Sequence, residues 1–200
     1  MKYLIAVCLL LSACSSVPTK EHLARLIFRV YNPMQGSVGT AFIVKGASGL
    51  YYAATNAHVC GHSMQTPMVL DDIWGNTALP ALIDTTADLC LIPVVGYHSA
   101  LKVAPTYETH LSWGGGYPHG GDFVYYTPIA EVPHAGWHCA GTTVCYHFKE
   151  PTIQPGSSGS PMFNDRGEVN CMVNAIMKDP KMQTALCVPT PRLSHLLQEM

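Results

Sequence analysis

The sequence predicts an all-β protein made of two similar halves and closed by one C-terminal helix. Short segments rich in β-branched and aromatic residues recur along its 200 residues and are separated by Gly, Asn or Ser, which is the pattern of consecutive antiparallel strands. Hydrophobic residues make up 48% of the chain and charged residues 12%. A chain of this composition can fill one or two small cores, so a disordered protein is excluded.

Four strands are predicted in the first half, about residues 25–98. They cover residues 26–31, 40–44, 50–54 and 88–94. Residues 99–110 are mixed in composition and turn-like, and they are predicted to cross between the two halves.

The second half is predicted at about residues 110–190. Residues 113–121 are dense in glycine, with aromatic residues between the glycines, and predict a loop that borders a cleft. Strands are predicted at 123–126 and 184–188, and residues 163–169 predict a hairpin turn with a glycine at a position of positive φ. Only residues 191–200 look helical, with Pro191 early and three leucines at helical spacing.

The first fourteen residues have the order of a secretory signal. Lys2 is followed by an apolar run at residues 4–11 and by the small-residue site Leu-Ser-Ala-Cys, which ends at Cys14. This site resembles the lipobox of bacterial lipoproteins. The resemblance implies removal of residues 1–13, acylation of Cys14 and a tether at 14–24. Ser15 resembles the residue found there in outer-membrane lipoproteins. The alternative is a first core strand that ends in Cys14.

Charge and hydropathy exclude two classes of protein. The chain has 11 Lys+Arg and 13 Asp+Glu, for a net charge of −2, and no run of like charges offers a surface for nucleic acid. Its longest apolar run is far below the roughly 20 residues of a membrane-spanning helix. The expected partners are a peptide or protein substrate and a membrane reached through the lipid anchor.

Six cysteines remain after the signal and the anchor. They are Cys60, Cys90, Cys139, Cys145, Cys171 and Cys187. In an exported domain they predict up to three disulfides with fifteen possible pairings, of which the closely spaced Cys139–Cys145 is favoured. The alternative is a zinc site in the same region, with ligands drawn from His134, His138, Cys139, Cys145 and His147.

Three motifs stand in chain order and carry the predicted chemistry. They are TNAHVC at residues 55–60, TTADLCL at 85–91 and PGSSGSP at 155–161. A serine hydroxyl is a poor nucleophile until a base takes its proton, so Ser158 needs an imidazole, for which His58 is the candidate. A carboxylate at Asp88 would orient that imidazole and stabilise its protonated form.

These motifs resemble those of trypsin/chymotrypsin-fold serine proteases, particularly bacterial HtrA/Deg-type proteases and glutamyl endopeptidases. The resemblance extends from about Gly39 to Leu197. It implies two antiparallel six-stranded β-barrels with the site in the cleft between them. It also implies catalytic residues His58, Asp88 and Ser158, an oxyanion hole formed by the N–H groups of Gly156 and Ser158, and no metal or cofactor.

The same resemblance implies a primary substrate pocket walled by Thr152, Ile153 and residues 173–176, with Asn174 and Ala175 among them. Neither stretch offers a carboxylate for Arg or Lys, or a histidine for an acidic side chain. The predicted preference is a small or medium apolar residue before the cut.

The predicted function is that of an exported, lipid-anchored and monomeric serine endopeptidase that works through an acyl-enzyme. It would reside at a cell or outer membrane and face the periplasm or the exterior. The alternative is a binding or decoy protein that keeps the fold without turnover.

Overall fold

The all-β prediction is confirmed by the computed structural model. It describes residues 18–108, 110–128, 130–139, 143–179 and 182–200, without the side chains at 130–147, 175, 177–179 and 182–184. Within these ranges the chain forms two antiparallel sheets and a C-terminal helix.

The first sheet holds strands β1 to β7 in the order β5-β4-β1-β2-β3-β7-β6. The strands are β1 (Ile27–Asn32), β2 (Ser37–Lys45), β3 (Tyr51–Thr55), β4 (Met68–Asp71), β5 (Thr77–Ala78), β6 (Leu82–Asp84) and β7 (Leu89–Val94). The strands predicted from the sequence correspond to β1, β2, β3 and β7, which are also the strands with the most buried residues.

The second sheet holds strands β8 to β14 in the order β10-β11-β14-β13-β12-β8-β9. The strands are β8 (Trp113–Gly116), β9 (Val124–Tyr126), β10 (Ala130–Cys139), β11 (Thr143–Lys149), β12 (Pro161–Phe163), β13 (Val169–Asp179) and β14 (Met182–Pro189). The predicted hairpin turn between β12 and β13 is confirmed, with Gly167 at φ +72°.

Each sheet has seven strands where six were predicted, because one strand of each barrel is interrupted. The end strands β5 and β6 of the first sheet are consecutive in the chain and separated only by residues 79–81. In the second sheet the end strands β9 and β10 are likewise consecutive. Pro80 lies in the first interruption and Pro128 in the second, and proline has no N–H for a ladder hydrogen bond. Counted as one strand each, these pairs give two six-stranded barrels.

The glycine-rich segment predicted as a loop is partly a strand. β8 pairs with β9 and with β12, and all four of its residues are buried. A side chain at Gly115 would overlap the ring of Phe123, and one at Gly114 would overlap Met162. The glycines therefore let neighbouring side chains pack directly on the strand, which the composition alone does not reveal.

Helices are short and lie at the ends and turns. They are α1 (Lys20–Ala24), α2 (Ala57–Cys60), a 3-10 turn (Pro118–Gly120) and α3 (Pro191–Glu199). The predicted C-terminal helix is confirmed, and its three leucines are buried against the first barrel. Helix α1 occupies the end of the segment predicted as a tether, and its Leu23 is buried. Across the described ranges, no helix has the length and apolar character needed to cross a membrane.

Two disulfides lie within the described residues. Cys60 joins Cys90 in the first barrel, and Cys171 joins Cys187 between β13 and β14. The favoured Cys139–Cys145 pair and the alternative zinc ligands have side chains outside the described part of the chain, so both stay predictions.

The loop after β4 is organised by Asp72. Its carboxylate accepts hydrogen bonds from the N–H groups of Trp74 and Asn76, the Asn76 side chain and the Tyr97 hydroxyl, at 2.6–3.2 Å. Burial raises the pKa of Asp72, but the hydrogen bonds from Tyr97, Asn76 and Trp74 outweigh burial and hold this pKa below its usual 3.8.

This lowered pKa predicts a pH-dependent stabilisation. The unfolded chain binds a proton more readily at Asp72 than the folded protein does. The contribution of the ionised Asp72 to the free energy of unfolding is therefore complete above about pH 4 and is lost as the pH falls through the folded-state pKa. Asp72→Asn should therefore lower the free energy of unfolding near neutral pH and have a smaller effect at about pH 3. Urea unfolding at both pH values measures this, and an equal loss at both would contradict it.

Candidate active site

His58 and Asp88 lie in direct contact. His58 belongs to the one-turn helix α2 that follows β3, and Asp88 immediately precedes β7. The His58 Nδ1 and Asp88 Oδ2 atoms are 2.8 Å apart, and the backbone N–H of His58 donates to Asp88 Oδ1 at 3.0 Å. An ionised carboxylate only accepts hydrogen bonds, so this contact holds the proton of a neutral imidazole on Nδ1 and leaves the lone pair on Nε2.

Asp88 is held by further hydrogen bonds to its carboxylate and to its backbone. Asn174 donates its side-chain N–H to Asp88 Oδ2, and Asn56 donates its side-chain N–H to the Asp88 backbone oxygen at 3.1 Å. Asp88 is buried and has φ +48°, a left-handed conformation that aspartate tolerates better than most residues. The carboxylate thus has a fixed orientation towards the imidazole, whose side chain is half exposed.

The Cys60–Cys90 disulfide joins the segments that carry these two residues. Each cysteine lies two residues after one of them, and the two Cα atoms are 6.5 Å apart. The spacing of 30 residues between the cysteines equals that between His58 and Asp88. This equal spacing is visible in the sequence and could have predicted the Cys60–Cys90 pairing.

Removing this disulfide is expected to affect both stability and the site. The loop that it closes should give about 3–4 kcal/mol of stability, and the Cys60→Ala/Cys90→Ala variant should lose activity beyond that expected from unfolding. The matched control is Cys171→Ala/Cys187→Ala, which should lose stability but not the specific activity of its folded fraction. Urea unfolding and assays on the folded fraction test this, and equal specific activities would contradict it.

Ser158 lies in the loop between β11 and β12, beside Asn174. Its Oγ donates to the backbone oxygen of Asn174 at 3.1 Å. Asn174 therefore contacts both the serine and the Asp88 carboxylate. The sequence predicts Asn174 only as part of a pocket wall, because nothing in the local sequence links it to a carboxylate 86 residues away.

The Ser158 loop is a tight turn that depends on glycine. Gly156 has φ +94°, and a Cβ there would lie 2.8–2.9 Å from backbone atoms of residues 117, 119 and 120. Within the described part of the chain, the N–H groups of Gly156 and Ser158 donate to no backbone or side-chain acceptor. Two free neighbouring donors of this kind suit an oxyanion.

A cavity of about 290 Å³ opens beside Ser158. Its lining is Ile153, Gln154, Pro155, Ser157, Ser158, Val173, Asn174 and Ile176. None of these side chains is charged. The sequence does not predict Gln154 or Pro155 as pocket residues.

Two of the four predicted pocket residues, Ile153 and Asn174, line this cavity. Thr152 does not, because its hydroxyl and N–H both donate to the Glu150 carboxylate, at 2.6 and 3.0 Å. The side chain of Ala175 lies outside the described part of the chain.

Metal ligands do not gather in the described residues, where no three His, Cys, Asp or Glu side chains form a group that could hold an ion. The described site consists of an imidazole, a carboxylate, a hydroxyl and backbone N–H donors, which are the functional groups that acyl transfer needs.

The two-barrel fold is similar to that of solved proteases. The structure is similar to the inactive form of the Rv3671c protease, with a TM-score of 0.67 and 18% sequence identity over 90% of this chain and 91% of that chain. It is also similar to the active form of the same protease from M. tuberculosis, with a TM-score of 0.69 and 18% identity over 90% of this chain and 83% of the other. No protein-family model and no curated protein matches the sequence.

Proposed function

We propose that the protein is a serine endopeptidase that hydrolyses peptide bonds through an acyl-enzyme, with His58, Asp88 and Ser158 as its catalytic residues. The observation that carries the proposal is the 2.8 Å contact between His58 Nδ1 and a buried Asp88 carboxylate, which is hydrogen-bonded to Asn174, the residue that also accepts a hydrogen bond from Ser158. Among the described residues, the N–H groups of Gly156 and Ser158 have no acceptor. The trypsin-like fold supports it.

In the first step, Ser158 Oγ attacks the scissile carbonyl carbon and its proton passes to His58 Nε2. The π electrons of the carbonyl move to its oxygen, which the N–H groups of Gly156 and Ser158 stabilise. The Ser158 hydroxyl donates to Asn174 in the free protein, so rotation about its Cα–Cβ bond precedes the proton transfer.

The tetrahedral intermediate then collapses, and the leaving amine takes the proton from His58. Water, activated by His58 in the same way, attacks the acyl-enzyme and releases the carboxylic acid and free Ser158. Asp88 stays ionised throughout and stabilises the protonated imidazole. Protein side chains and water supply every proton and electron pair in this scheme, so it needs no metal or cofactor.

The cavity beside Ser158 supports a preference for apolar residues before the cut. Its volume of about 290 Å³ and its uncharged lining suit a small or medium aliphatic side chain. A charged side chain would lose its hydration there without gaining an ionic partner.

Hydrolysis of a peptide p-nitroanilide series tests this function. Substrates with alanine, valine or leucine before the anilide should be cleaved, and those with lysine or glutamate should be cleaved at least ~10-fold less efficiently. Ser158→Ala should be inactive, whereas Ser63→Ala, at an exposed loop position, should match the wild type. If the folded wild type cleaves neither the anilides nor a protein substrate such as casein, the result would favour the non-catalytic binding protein.

We also propose export and anchoring through an acylated Cys14. Two disulfides support an oxidising compartment, and several acyl chains on one residue would give stable attachment, since each buried methylene adds about 0.8 kcal/mol. The wild type should enter the membrane fraction with the mass of the acylated chain. Cys14→Ser should be soluble after export. Membrane association and mass unchanged by this substitution would contradict the anchor.

A further inference from the structure

Thr40 contacts both residues of the proposed oxyanion hole. Its backbone N–H donates to the Ser158 carbonyl oxygen at 2.8 Å, and its hydroxyl donates to the Gly156 carbonyl oxygen at 3.0 Å. Thr40 is fully buried in β2 of the first barrel, whereas the loop that it contacts belongs to the second barrel.

The Thr40 hydroxyl also accepts a hydrogen bond. The backbone N–H of Tyr117 donates to it at 3.1 Å, so the hydroxyl bridges the turn at residues 117–120 and the Gly156 loop. Arg29 Nη1 donates to the Gly120 carbonyl at 2.9 Å, and the Tyr117 hydroxyl donates to the Ile27 carbonyl at 3.1 Å. The turn is thereby fixed to the first barrel.

Gly156 is confined between these two supports. Backbone atoms of the turn already lie within 2.9 Å of the position that a Cβ on Gly156 would occupy. The loop cannot move closer to the turn, and the hydroxyl of Thr40 opposes movement away from it. The peptide group after Gly156 is held by this hydroxyl. The peptide group before it, which carries the Gly156 N–H, is held by the turn, because the His119 N–H donates to the Pro155 carbonyl oxygen at 2.5 Å.

We propose that Thr40 is a positioning residue for the oxyanion hole, because its hydroxyl fixes the Gly156 loop so that the N–H groups of Gly156 and Ser158 converge on one oxygen. This inference rests on the proposed protease function and adds to it a residue from the opposite barrel. From the sequence, Thr40 is predicted only as part of a strand.

The consequence is a specific effect on the transition state. Stabilisation by an oxyanion hole depends on donors held at the position where the negative charge develops, and a misplacement of about 1 Å can cost 10²-fold in rate. Loss of the hydroxyl should therefore lower kcat and leave KM nearly unchanged, since the cavity beside Ser158 does not include Thr40.

The test compares Thr40→Val, which keeps the shape without the hydroxyl, with Thr40→Ser, which keeps the hydroxyl. For a valine p-nitroanilide, Thr40→Val should lower kcat about 10- to 100-fold with KM within about 2-fold, and Thr40→Ser should recover most of the loss. A peptide aldehyde with the same sequence forms a tetrahedral adduct with an oxyanion, so its affinity should fall by the same factor as kcat.

Thr190→Val is the matched control. Thr190 is another buried threonine whose hydroxyl bonds to backbone carbonyls of residues 104, 169 and 170, away from the Ser158 loop. This variant should lose stability without losing kcat or aldehyde affinity in its folded fraction.

Three outcomes would overturn the inference: a folded Thr40→Val with wild-type kcat, a Thr40→Ser as impaired as Thr40→Val, or a loss that appears in KM alone. If Thr40→Val does not fold, Thr40→Ala and Thr40→Ser form the deciding pair. Failure of both hydroxyl-free variants to fold would make the hydroxyl a purely structural group and also overturn the inference. A wild type that neither hydrolyses the anilide nor binds the aldehyde would instead refute the proposed function.

Discussion

Replacing Asp88 by asparagine is expected to lower kcat by about 10⁴-fold, the cost of this change in other catalytic triads. Asp88 Oδ2 accepts from both His58 Nδ1 and the Asn174 side chain, and Oδ1 accepts from the His58 N–H. Every group that faces the carboxylate is a donor. An asparagine N–H₂ group in place of either carboxylate oxygen would face another donor. The imidazole would then carry its proton on Nε2 and have no lone pair there to accept the Ser158 proton.

Steady-state kinetics on the valine anilide measure this loss. The control is Asp84→Asn, a nearby carboxylate whose partners are Thr86, Ala87 and Arg192 and which does not touch the imidazole. Asp84→Asn should retain kcat in its folded fraction. An Asp88→Asn variant within 10-fold of the wild type would show that the carboxylate does not orient the base.

Gly159→Ala is expected to lower the free energy of unfolding strongly. Gly159 has φ +89°, and a Cβ there would overlap the carbonyl oxygen of Thr40 and crowd the Thr55 hydroxyl. The left-handed conformation costs an alanine about 1–2 kcal/mol, and the forced shift of backbone atoms adds about 1–3 kcal/mol.

Gly49→Ala separates these two causes. Gly49 has the same φ of +89°, but its Cβ would meet no atom within 4 Å. This control should lose only the conformational part, about 1–2 kcal/mol, in urea unfolding. Equal losses for the two variants would mean that the contact between the Ser158 loop and β2 is not tight.

Local patterns were enough to predict the fold class, which the structure confirms, and to single out His58, Asp88 and Ser158 as candidates. Short runs of β-branched and aromatic residues predict strands such as β2 and β3, and the residues around His58 and Asp88 form recognisable short motifs. The structure then brings these two residues into contact. The interrupted strands were missed, because they depend on how the barrel ends meet.

The rest of the site depends on contacts between distant segments. Asn174 reaches Asp88, and Thr40 reaches Gly156, across 86 and 116 positions. Neither residue type signals such a role on its own, since threonine is common in strands and asparagine is common in turns. The loop predicted at the glycines of β8 is wrong for a similar reason, because the side chains that fill the space beside these glycines come from other segments of the chain.

The central claim is that Ser158 is a nucleophile activated by the His58–Asp88 pair, and covalent labelling tests it most directly. A fluorophosphonate should react with the folded wild type, phosphonylate Ser158 with loss of fluoride, and give a single modified peptide that contains residues 155–161 by mass spectrometry. Ser158→Ala should stay unlabelled, and His58→Ala should react far more slowly. A folded wild type that remains unlabelled, or a label found on another residue, would contradict the account.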